Sequence, residues 1–210
     1  FKPQLLIGPF VWWGLAPVRH RFEWLGVLVT GLALAALSFL VVPEAAWAFM
    51  DSLRANVGYG GENGWNLHSP RKFWDILLTD TAPRLNWTLT GLCVVAALAG
   101  AALLHARTGG PLAVMFPAAV FLSLWASPHT LIYEWALLFA AAVVLWERLP
   151  ARRDTWLTLF AVVWAVLTVS TTATLVQLRH LGWPVALQAS IPVMAFVGLR
   201  VIRALGGRYS

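Results

Sequence analysis

The chain has 210 residues, of which 60% are hydrophobic and only 11% charged, with mean hydropathy +0.72 and a formal net charge of +6. These values exclude an ordinary soluble domain and describe a polytopic membrane protein with an all-α fold. In a soluble protein the pI near 10.4 would suggest nucleic acid, but here the arginines fall in short connections between apolar spans, as the positive-inside bias produces.

In chain order, Lys2-Pro3-Gln4 opens a short first span, Leu5 to about Ala16, interrupted by Gly8, Pro9 and Gly14. The chain starts with Phe1 and carries nothing like a signal peptide, so the expectation is the C-terminal portion of a longer protein. Arg19, His20 and Arg21 form a basic connection before a second, uncharged span from Trp24 to Val42. From Pro43 to Arg84 the chain leaves the hydrocarbon. There Trp47, Met50, Leu53 and Val57 recur at helical spacing, as do Phe73, Trp74, Leu77 and Leu78 after a Ser69-Pro70 start signal. Two short amphipathic helices lying along the membrane surface are predicted, joined by a Gly-rich loop from Tyr59 to His68.

A third span is predicted from Leu85 to Leu104, a fourth from Pro111 to Ala126 and a fifth from Leu131 to Trp146. A sixth runs from Trp156 to Leu178 and a seventh from Pro184 to Leu199. No linker or fixed-period repeat divides 1–210, so the reading is one transmembrane helical bundle of about seven spans, with 43–84 as its outer amphipathic segment. If Arg19 is cytoplasmic, nine of the fifteen Lys and Arg residues lie in cytoplasmic segments. Lys2, the 43–84 segment and the Ser127 corner then share the outer face. Cys93, the only cysteine, excludes an intramolecular disulfide.

Polar chemistry concentrates at Ser127-Pro128-His129-Thr130-Leu131-Ile132-Tyr133-Glu134, which interrupts an otherwise uncharged run from Pro111 to Trp146. Ser127 is expected to cap a helix beginning at Pro128, with Tyr133 one turn below His129 and Glu134 one turn below Thr130. A carboxylate in a membrane helix is costly, so Glu134 needs a partner: Lys2, His129 or the hydroxyls of a ligand, unless the pair is purely structural. Lys2 with Pro3 and Gln4 offers an anion site at a helix start, against the plainer reading of a lysine snorkelling to headgroups. His129 either donates to a phosphate or sugar hydroxyl or caps the corner, and Tyr133 equally suits the aromatic belt. Trp65, Asn66 and His68 mix an aromatic face with hydrogen-bonding groups, which suits a sugar and also an anchored interfacial loop. Arg71 and Lys72 suit lipid phosphates. The five histidines are scattered without metal-ligand spacing, so no metal site is assigned.

The pairing of Lys2, Pro3 and Gln4 at one span head with Ser127, Pro128, His129, Tyr133 and Glu134 at a later one resembles glycosyltransferase family 87. These are GT-C-type polytopic enzymes related to the polyprenol-phosphate-mannose-dependent mannosyltransferases. The family commonly has Asp at the position of Glu134. The resemblance implies a hexosyltransferase of the cell membrane that moves a sugar such as mannose from a polyprenyl-phosphate donor to a glycolipid or glycan acceptor at the extracytoplasmic face. Lys2, Gln4 and His129 would hold the donor phosphate, Ser127, Tyr133 and Glu134 would support the site, and Trp65, Asn66 and His68 would line the acceptor side. The general base would come from a region upstream of Phe1, so 1–210 alone is expected to be inactive. The competing class is a transporter in which Lys2 and Glu134 form a coupling pair.

Overall fold

Apolar runs bounded by Pro, Gly and polar residues become helices throughout. The computed structural model describes residues 3–54, 66–78, 82–149, 153–183 and 185–206. A 3₁₀ turn, Pro3–Leu6, leads into α1 (Ile7–Leu15), followed by α2 (Arg21–Val41), α3 (Pro43–Arg54) and α4 (Pro70–Leu78). Then come α5 (Pro83–Thr108), α6 (Leu112–Ala126), a 3₁₀ turn at Ile132–Ala136 running into α7 (Leu137–Trp146), α8 (Arg153–Leu175) ending in a π turn at Val176–His180, and α9 (Ser190–Gly206). Among the described residues there is no strand, only an antiparallel bridge between Leu67 and Leu131. Three helices, Arg21–Val41, Pro83–Thr108 and Asp154–His180, are long and apolar enough to cross a membrane.

Most predicted spans correspond to helices with small boundary shifts. The seventh does not begin at Pro184: residues 185–188 lack helical structure and α9 starts at Ser190. Pro192, two residues beyond Ser190, was the start signal overlooked in the sequence. Both amphipathic helices are present, as α3 and α4. The Ser69-Pro70 start is realised in atomic detail, since Ser69 Oγ accepts the Lys72 N–H at 3.3 Å and donates to the Pro128 carbonyl at 3.0 Å. Ser69→Ala is therefore expected to cost about 1 kcal/mol through loss of the cap, plus the tie to Pro128, read as a lower thermal midpoint in detergent.

The chain divides into two units, 13–62 and a larger one formed by 1–12 with 63–210. In the smaller unit, α2 presents exposed Phe22, Leu25, Leu28, Leu32 and Leu40, a surface suited to acyl chains. Its link to α3 is fixed by an edge-on contact of Phe39 and Trp47, with ring centroids 5.2 Å apart.

In the larger unit α7 packs on α6, α6 on α5, α5 on α9 and α9 on α8. Gly109, with φ 72°, caps α5 in the left-handed region and lets the chain reverse into α6. Two cores stabilise the bundle by apolar burial. One gathers Leu124, Trp125, Trp135, Leu167 and Met194 with Phe73 of α4, and the other Leu104, Val114, Leu145, Trp156 and Leu205. The start of α1 reaches α6 at a very close approach, because a Cβ on Gly8 would overlap the Ala119 carbonyl. Gly8 N–H donates to Ser123 Oγ at 3.0 Å, and Ser123 Oγ–H donates to the Leu5 carbonyl at 2.6 Å.

Candidate functional site

The organising side chain is His68. It is fully buried in the segment just before α4, and its backbone and ring together join four parts of the larger unit. Its N–H donates to the Thr130 carbonyl at 2.7 Å and its own carbonyl accepts the Trp135 indole N–H at 3.0 Å. Nδ1 lies 2.7 Å from Ser190 Oγ at the start of α9, and Nε2 lies 2.8 Å from Thr171 Oγ1 near the end of α8. Thr171 Oγ1 also donates to the Leu167 carbonyl at 3.1 Å. With its one hydroxyl proton so used, Thr171 accepts from Nε2–H, and Ser190 donates to Nδ1, which assigns the neutral Nε2–H tautomer. Burial pushes the His68 imidazole down from 6.5 to about 4, because charging it would take a cation out of water.

Around His68 the backbone forms a clasp. Leu67 bridges Leu131, Gln188 Nε2 donates to the Leu67 carbonyl at 2.8 Å, and Ser69 reaches Pro128. Thr130 Oγ1 folds the corner back onto α6 by donating to the Leu124 carbonyl at 2.6 Å. Thus the segment at 66–69 and the corner at 127–135, far apart in sequence, occupy one end of the larger unit. The end of α8 and the start of α9 are there too, and the Leu5–Ser123 contact brings the first 3₁₀ turn to the same end of α6.

The corner differs from its sequence expectation. Pro128 does not begin a helix: Ser127 is the C-cap of α6, its N–H donating to the Ser123 carbonyl at 3.3 Å, and helical structure resumes only at Ile132. The helical faces expected for His129 with Tyr133 and for Thr130 with Glu134 therefore do not exist. Glu134, at the third position of the 3₁₀ turn, performs the local capping instead. Its carboxylate accepts the Leu131 N–H at 2.8 Å, while its own N–H donates to the Leu131 carbonyl at 3.0 Å. A buried carboxylate here has a role that spacing from Pro128 could not reveal. Tyr133 is exposed and His129 half-buried.

Of the remaining sequence-named residues, Gln4 is half-buried in the first 3₁₀ turn, and Asn66 is half-buried beside the clasp. Lys2 and Trp65 lie outside the described residues. Ser127 Oγ and Asn66 Oδ1 are buried without a hydrogen-bond partner among the described residues. Thr171, Gln188 and Ser190 escaped sequence reasoning. The signal was present in the Ser170-Thr171 pair and in Gln188, polar groups in apolar surroundings.

An apolar cavity of about 710 Å³ lies between α5, α6, α7, α8 and α9, lined from Phe121, Leu138 and Met194 on the clasp side to Leu104, Glu147 and Ile202 toward the opposite end. Its lining includes the exposed Phe139 and Val143 of α7 and Leu157 of α8. Phe121, which lines it, packs edge-on against Trp135 with centroids 6.3 Å apart, so the cavity and the His68 clasp are in direct contact through two rings. Among the described residues no group of His, Cys, Asp and Glu has the grouping of a metal site. Comparison of the chain with protein-family models, with curated proteins and with solved structures found no match.

Proposed function

We propose that the protein is a membrane glycosyltransferase of GT-C type. It transfers a sugar, a hexose such as mannose, from a polyprenyl-phosphate donor to a glycolipid or glycan acceptor at the extracytoplasmic face. The observation that carries this reading is the contact, through Trp135 and Phe121, between a polar clasp, with buried groups on Ser127 and Asn66 that lack a partner among the described residues, and an apolar cavity of about 710 Å³. A lipid-linked sugar needs both environments side by side: hydrogen-bonding groups for the phosphate and hydroxyls, and a dry channel for the hydrocarbon.

In this reading seven segments cross the bilayer: the first 3₁₀ turn with α1, then α2, α5, α6, α7 with its 3₁₀ turn, α8 and α9. Arg107, Arg148 and Arg203 follow or end α5, α7 and α9 at the end opposite the clasp, which supports a cytoplasmic location for that end. Lys2, Gln4 and His129 hold the leaving phosphate and stabilise its developing charge. Glu134 keeps the corner in shape through Leu131, which makes it a positioning residue.

The test is transfer of label from radiolabelled polyprenyl-phosphate hexoses by the full natural protein in membranes. Wild type is expected to transfer label. Lys2→Ala is expected to slow transfer by at least about tenfold, the equivalent of one lost charge-assisted hydrogen bond. Glu134→Gln, which keeps an acceptor for Leu131 but loses the charge, is expected to slow it less. Normal turnover in both variants would remove the site assignment, and no transfer from any such donor would remove the reading.

A further inference from the structure

The head of α5 carries a feature that the clasp does not use. Arg71 of α4 sits over the Trp87 ring, its guanidinium carbon 4.2 Å from the centroid. Trp87 is 58% exposed, and Arg84, three residues earlier on α5 and thus on the same face, is exposed as well. The neighbouring cation is treated differently. Lys72 Nζ is paired with Asp75 Oδ2 at 2.7 Å, and the other oxygen of Asp75 accepts from Asn86 Nδ2 at 3.2 Å. Asp75 is therefore spent on fastening α4 to the first turn of α5. Among the described residues no carboxylate lies within ion-pair distance of Arg71 or Arg84.

These two arginines meet no acid among the described residues, and one of them sits over an indole, so their N–H groups can offer a phosphate a forked pair of hydrogen bonds. Stacking removes much of the side-chain freedom that binding would otherwise have to restrict. α5 is long and apolar enough to cross a membrane, and Arg84, Trp87 and exposed Leu85 occupy its first turns. That is the depth of lipid headgroups, with apolar surface just below for acyl chains.

We propose that Arg71, Trp87 and Arg84 form a binding site for the headgroup phosphate of an anionic phospholipid. A zwitterionic choline headgroup fits less well, since its own cation would meet two guanidinium groups. The site is separate from the clasp and does not depend on the glycosyl-transfer reading, because lipid binding is measured with no sugar present.

The experiment titrates the detergent-solubilised full natural protein with dihexanoyl-phosphatidylglycerol, dihexanoyl-phosphatidylcholine and inorganic phosphate by calorimetry, with increasing salt as a further axis. Wild type is expected to bind phosphatidylglycerol at least several-fold more tightly than either of the others. The Arg71→Gln/Arg84→Gln double variant is expected to lose about tenfold, and added salt to weaken the wild-type interaction. Neither arginine belongs to the Lys72–Asp75–Asn86 chain, so the thermal midpoint should stay near wild type. Should the double variant fail to fold, Trp87→Leu keeps an apolar side chain but removes the ring over which Arg71 sits, and several-fold weaker binding is expected. Unchanged affinity in whichever variant folds, equal binding of phosphatidylcholine, or inorganic phosphate binding as tightly as the lipid would each overturn the proposal.

Discussion

Replacing His68 with alanine is expected to destabilise the protein by about 3–4 kcal/mol, among the largest effects of any single substitution in the clasp. The reasons add: a fully buried ring is removed, and the Ser190 and Thr171 hydroxyls lose their shared partner inside the bundle. Thermal unfolding in detergent reads the loss, and His68→Asn, which can renew part of the hydrogen bonding, should recover some of it. The same residue gives a pH signature. His68 lies in the connection between α3 and α4, and its folded-state value, about 4, is below the 6.5 of the unfolded chain. The unfolded state therefore binds more protons between those values, and stability must fall as pH falls. The contribution is fully present above about pH 6.5, shrinks by up to about 3 kcal/mol on acidification, and is gone once pH drops below about 4. Subtracting the pH profile of His68→Ala from that of wild type isolates this window from the carboxylates. A flat difference would show that the ring is not held neutral in the folded protein.

Gly8→Ala is expected to be the second severe change, costing about 3 kcal/mol although it adds one methyl group to an apolar helix. The added carbon would meet the Ala119 carbonyl, part of the α6 backbone, and a helix backbone cannot swing aside as a side chain can. α1 must then withdraw, which breaks the Gly8 to Ser123 hydrogen bond and strains that from Ser123 to Leu5. Gly14→Ala serves as the control, since a Cβ there meets open space. A thermal midpoint unchanged for Gly8→Ala would mean that α1 and α6 are not as close as described. Because Gln4 lies just ahead of Leu5, withdrawal of α1 would also draw Gln4 away from the corner, linking this packing contact to the proposed phosphate site.

The two Ser-Pro pairs show where local reasoning succeeds and where it stops. Ser69-Pro70 and Ser127-Pro128 carry the same start signal, and only the first starts a helix. After Ser127 the backbone is committed elsewhere: Leu131 bridges Leu67, the Thr130 carbonyl receives His68, and the Thr130 hydroxyl turns back to α6. Leu67 and His68 are remote in sequence, and with the turn back to Leu124 they outcompete a local helical turn. The same distance hid the role of His68, whose ring contacts lie 122 and 103 residues away.

Composition and periodicity alone determined that the chain is helical, that its long apolar helices suit a membrane, and that an amphipathic segment separates the second helix from the later ones. These properties depend on side chains a few residues apart and on transfer out of water, both of which are local. Which polar groups meet, which proline starts a helix, which glycine admits a neighbouring backbone and which arginine sits over an indole were decided only by tertiary structure. Each depends on what a distant segment places opposite, and a buried hydrogen bond is worth enough to override the preference of the residues next to it.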